Sequence, residues 1–289
     1  MPASRGLEQE DMERVNINRE RVFMLFKYTV YLLLTINVFV FLDIEWAASD
    51  VRFQDGVSFA SIYEAFAATI DTAAWVVLLL LFELETYVLD DEHFTPKITW
   101  TLHGVRFFAY FFIVVAFLGY IEALTFTLGA TPSDVTSLCT LVAEGWSYGA
   151  DINDFTLLTT ENCGQFSGAV AYLQYPGVNA VVGVEDFVTS KWLAWTDVIN
   201  AGVWLLVVMV LEADVRLQEK DLLKGTLYYV STASKFILYS ILVAAAVYWT
   251  MDGGFIDSYD AWMWLIAFVF IELNVFEWRQ ESLEEDAVP

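Results

Sequence analysis

The chain has 289 residues, 57% hydrophobic and 17% aromatic, with mean hydropathy +0.52 and a formal net charge of -24. Soluble domains lie nearer about 45–50% apolar, so the excess points to a lipid bilayer as the main partner. Nucleic acid is excluded as a partner, because no basic stripe exists to neutralise phosphates.

Six apolar runs are long enough for about 30 Å of hydrocarbon. They are about Val22–Leu42, Thr72–Leu89, Leu102–Glu122, Leu193–Ala213, Lys235–Thr250 and Ala261–Trp278. The sequence therefore predicts an all-α membrane protein of six transmembrane helices. Residues 1–21 form an N-terminal tail, 22–124 the first three helices, 125–190 an insert, 191–278 the last three helices and 279–289 an acidic tail.

Residues 1–21 mix acids and bases, as a cytoplasmic tail does. Trp46-Ala47-Ala48-Ser49 resembles a signal cleavage site. The run before it exceeds an h-region of about 7–15 residues, so the first span is expected to be retained. Residues 43–70 are expected to form an acidic outer loop, with an amphipathic piece, Ala60–Ile70, along the membrane surface.

Span two opens a frame that recurs twice more. Asp71, Trp75, Glu83 and Glu85 match Asn200, Trp204, Glu212 and Asp214, and also Asp260, Trp264, Glu272 and Asn274, without a gap. Asp71 and Asp260 are expected to be helix N-caps. The tryptophans are expected to sit in the interfacial aromatic belt. After the turn at Asp90–Thr101, span three begins with Arg106 and has Tyr110 four residues on. Lys27 with Tyr31, and Lys235 with Tyr239, repeat this pattern in spans one and five. The same 23-residue interval separates Glu83 from Arg106 and Glu212 from Lys235. The chain is therefore predicted to be three parallel pseudo-repeated helical hairpins.

Charges inside a bilayer cost about 2.5–3.5 kcal/mol when unpaired at a helix centre, so they are expected to pair or to serve a function. Three intramembrane pairs are predicted, Glu83 with Arg106, Glu212 with Lys235 and Glu272 with Lys27, closing the hairpins into a ring. Glu85, Asp214 and Asn274 would then be left to line a candidate cation or proton site.

The insert is rich in Gly, Ser, Thr, Asn and acids, with alternating runs at Val170–Leu173 and Val178–Val184 that predict short strands. It holds both cysteines, Cys139 and Cys163, and an even pair outside the cytosol predicts a disulfide. Asp151, Asn153 and Asp154 offer oxygen ligands for Ca²⁺ but lack the EF-hand spacing, and an acidic turn is the better account.

Arg5, Arg14, Arg19, Arg21, Lys97, Arg216, Lys220, Lys224 and Arg279 flank one side of the spans, against Arg52 and Lys191 on the other. The positive-inside rule then places both termini in the cytoplasm of a multi-pass inner- or plasma-membrane protein. His93 and His103 are the only histidines, and no zinc-binding pair, nucleophile elbow or phosphate loop is present. No catalytic set, metal or cofactor is predicted. In layout the three hairpins resemble mitochondrial carriers, but the proline–acid–base signature of that family is missing. The expected function is a cation or proton transport component. The alternative is a non-catalytic structural or assembly subunit whose insert binds a protein partner.

Overall fold

The computed structural model describes residues 3–85, 95–220 and 222–268, with backbone alone for 3–20 and 219. The fold is mostly helical. In chain order it contains α1 (Ala3–Arg52), α2 (Ile62–Ala65), α3 (Ala67–Glu83), α4 (Pro96–Leu128), α5 (Val184–Glu219), α6 (Thr226–Asp252) and a helix over 255–268, α7. Between α4 and α5 lie strands β1 (Thr131–Ser133), β2 (Ser147–Asp151), β3 (Asp154–Leu157), β4 (Tyr172–Gln174) and β5 (Ala180–Gly183).

Four helices are long and apolar enough to cross a membrane: residues Arg21–Arg52 of α1, then α4, Val184–Gln218 of α5, and α6. A fifth span results if the pieces either side of a 79° bend, Phe59–Ala65 and Ala67–Glu83, count as one. The predicted sixth span enters the described residues only as α7, so a six-span count is not established by these helices. Bulky apolar side chains such as Phe39, Phe107 and Phe236 point outward. Inside, Val30, Leu34, Leu79, Ile113, Val207 and Leu242 form one core with the three frame tryptophans.

Two loop expectations are corrected. Residues 43–52 continue α1 rather than starting a loop, because Glu45 turns inward to a partner. The chain breaks at Phe66 (φ -129°, ψ 39°), which leaves the first amides of α3 without intrahelical acceptors. The Glu45 carboxylate accepts from the Ala68 and Thr69 amides at 2.8 and 3.0 Å and from the Thr69 hydroxyl at 2.6 Å. A buried acid in α1 thus caps α3 from outside it.

α2 does not float on the surface; it packs on α4 at Gly119. A Cβ at Gly119 would lie 2.1 Å from the Tyr63 carbonyl oxygen. Small residues permit such close backbone approach between membrane helices. Gly119→Ala is therefore expected to cost about 1–3 kcal/mol through forced displacement of α2. Thermal unfolding in detergent measures it, and an unchanged midpoint contradicts the packing.

The five strands form one sheet in the order β1-β4-β5-β2-β3. β2 and β5 are parallel and every other pair antiparallel. β4 and β5 fall in the two alternating runs. Cys139 and Cys163 are joined, with Cα atoms 5.0 Å apart. Leu138, Leu141, Tyr148, Leu158 and Val181 pack around the bridge. Tyr175 is fully buried and stacks on Phe126 of α4 at 5.2 Å, which seats the sheet on one end of the bundle.

Candidate functional site

Charged residues gather at the end of the bundle away from the sheet, but their pairing differs from the prediction. Lys27 Nζ meets Glu83 Oε1 at 2.7 Å, and the Tyr28 and Tyr31 hydroxyls donate to the same carboxylate at 2.9 and 3.4 Å. Arg106 donates to Glu85, not to Glu83. Lys235 and Ser231 donate to Asp214 at 2.8 and 2.6 Å, not to Glu212. Glu212 instead accepts from Tyr110 at 3.4 Å and lies 3.8 Å from Arg216, one turn on in its own helix.

The reason is rotational phase. Residues two apart on a helix point about 200° apart, so the two acids of one frame cannot face the same neighbour. The first acid turns to a tyrosine of the preceding helix, and the second turns to the base that opens the next. Glu85 and Asp214, like Glu83, are thus each engaged with a base. Glu272 and Asn274 lie outside the described residues. In the frame, the position matching Glu85 and Asp214 is held by the uncharged Asn274.

A double-mutant cycle on Arg106→Ala and Glu85→Gln is expected to show coupling, while Arg106→Ala with Glu83→Gln is not. The Arg106–Glu85 pair is about a quarter to a third exposed, so the coupling should be modest, on the order of 0.5–1 kcal/mol. Equal coupling in the two cycles would refute this assignment.

At the sheet end the helices form a partly open cavity of about 80 Å³, enough for several water molecules. Asp71, Asp197, Asp257 and Asp260 line it, with Asn200, Tyr120 and the three frame tryptophans. Among the described residues, no lysine, arginine or histidine does. Asp71 and Asp260 are not N-caps. Their helices begin about one turn earlier, so both lie inside helical segments and face the cavity. Trp75, Trp204 and Trp264 are only 6–7% exposed and do not form an interfacial belt. Trp75 lies 6.0 Å from Trp204 and 6.3 Å from Trp264, ring centre to ring centre.

Each tryptophan follows its polar partner by four residues, on the same helix face. The Trp75 indole N–H donates to Asp71 at 3.0 Å, and Tyr120 adds a hydroxyl at 3.4 Å. Asp260 accepts from the buried Asn37 amide of α1 at 2.6 Å. The same face extends three residues back, through Asp197 and Asp257, with Ala68 in the corresponding place of α3. Ala68, Asp71 and Trp75 thus match Asp197, Asn200 and Trp204, and Asp257, Asp260 and Trp264, and all nine line the cavity. Extending the frame by one helical turn would have revealed this site. A tryptophan one turn from a recurring acid must share its facing, and an acid in a membrane helix faces inward.

The tip of the β2–β3 hairpin covers the cavity with Asn153, whose neighbour Asp151 accepts from the Ile152 amide and the Ser190 hydroxyl. Burial pushes the Asp151 carboxyl up from its ordinary value, against both hydrogen bonds. Asp151 therefore anchors the hairpin to α5.

Below the tryptophans lies a second cavity of about 110 Å³, lined by Leu78, Leu79, Phe82, Tyr110 and Val208 and sharing Trp75, Trp264 and Phe268 with the first. The arrangement along the bundle is thus acidic cavity, aromatic partition, apolar cavity and charged end. Among the described residues, no three His, Cys, Asp or Glu side chains converge to hold one metal ion. No known protein-family model matches this chain, and neither a curated protein nor a solved structure is similar to it.

Proposed function

We propose that the chain is a six-span membrane protein of three pseudo-repeated hairpins that moves a cation or proton through its acidic cavity. The observation that carries this reading is four aspartates around one cavity with no basic side chain in its wall among the described residues. Ionisable residues inside a membrane are expensive and mark ion or proton paths by default. The partition of Trp75, Trp264 and Phe268 suits a closed hydrophobic constriction, the kind that gates by dewetting. The site is not Glu85, Asp214 and Asn274, since the first two are engaged with bases.

The hairpin repeat is supported by three frame tryptophans meeting on one axis and by the recurring order of tyrosine and base partners. Both termini are assigned to the cytoplasm of an inner or plasma membrane. That assignment rests on Lys27, Arg106 and Lys235 at one end of the bundle and the disulfide-bearing segment at the other. The segment 125–190 is then extracytoplasmic.

The test is uptake into proteoliposomes under imposed proton, sodium, potassium and tetramethylammonium gradients. The parent is expected to carry one of these ions, and Asp260→Asn to carry it at least tenfold more slowly with its helical content intact. No flux in the parent sinks the proposal and leaves the alternative, a scaffold subunit whose insert binds a partner.

A further inference from the structure

We infer that the cavity admits a small organic ammonium cation rather than a dehydrated metal ion; this rests on the transport reading above and names its substrate class. The walls combine two features that a metal site would not need together. Trp75, Trp204, Trp249, Trp264, Phe41 and Phe268 bring aromatic rings into a wall that they share with the four aspartates. An ammonium ion, with dispersed charge and weak hydration, is attracted by the faces of such rings, best by tryptophan. A bare metal ion instead demands several oxygens at short, fixed distances.

The carboxylates are disposed to match. They surround the cavity, and among the described residues no three of them come together on one point. Asp71 already accepts from the Trp75 indole and the Tyr120 hydroxyl, and Asp260 from Asn37. Acids engaged in this way are poor chelators but still supply a field that attracts a cation without touching it. Each indole N–H that points at a carboxylate also fixes the ring beside it, so the aromatic wall is set before a ligand arrives. The volume of about 80 Å³ suits a guest of a few heavy atoms.

The probe is tetramethylammonium chloride, titrated by calorimetry into the full chain in lipid nanodiscs at constant ionic strength, with potassium and sodium chloride as comparators. Saturable one-to-one binding is expected for tetramethylammonium and not displaced by a tenfold excess of either alkali ion. Trp204→Leu is expected to weaken it at least tenfold, and Trp204→Phe, which keeps a ring, to restore part of the loss. Asp71→Asn should weaken it as well. If Trp204→Leu fails to fold, the Trp204→Phe and Asp71→Asn titrations decide. Failure of tetramethylammonium to bind, in protein whose proton or alkali flux still depends on Asp260, overturns this inference and leaves the transport reading standing. If no cation is bound or moved, both fall.

Discussion

Lys27→Met is expected to destabilise the protein by about 3–5 kcal/mol, the cost of stranding a buried carboxylate without its counter-charge. Only 3% of the Lys27 side chain and 7% of Glu83 are exposed, so neither group can recover hydration where it stands. The Tyr28 and Tyr31 hydroxyls donate to Glu83 but carry no compensating charge. Adding Glu83→Gln is expected to restore most of the loss, because the amide oxygen still accepts from a tyrosine and no charge remains. Unfolding midpoints of the parent, the single and the double variant measure this. Additive losses would show that Lys27 and Glu83 do not depend on each other.

The second large effect runs in the opposite direction. Asp71→Asn with Asp260→Asn is expected to raise the unfolding temperature while abolishing flux. Four acids around one cavity repel one another, and among the described residues no base in the lining offsets them. Replacing two by isosteric amides relieves that repulsion. Asparagine can still accept from the Trp75 indole and from Asn37 through its own oxygen. Stability gained with activity lost is the usual mark of groups retained for function against the interest of the fold. A lower melting temperature would indicate that these acids hold the helices together instead.

Much of the architecture was legible in the residues. Apolar runs located the helices, two cysteines in one segment foretold the bridge, and alternating residues near Val170 and Val178 marked β4 and β5. Partner choice was harder. Interval and depth allowed Arg106 to meet either Glu83 or Glu85, and only the rotation of α3 against α4 decides for Glu85. Helix starts were hidden for a related reason. Asp71 looks like a cap if α3 begins there, but α3 begins at Ala67 because Glu45, far back in the chain, accepts its first free amides. A side chain more than twenty residues upstream leaves no local trace. The tryptophans read as a belt in the sequence because a belt and an axis share the same depth. Their common phase with Asp71, Asn200 and Asp260 was the signal that separates the two.

The most direct test compares two pairs of acids in one assay. Transport currents on a solid-supported membrane should be recorded for the parent, for Asp71→Asn with Asp260→Asn, and for Glu85→Gln with Asp214→Asn, each at equal amounts of folded protein. The cavity account predicts that the first pair abolishes the current and that the second, whose acids serve only to hold helices, retains it. Currents that survive the loss of Asp71 and Asp260 but vanish with Glu85 and Asp214 would contradict it.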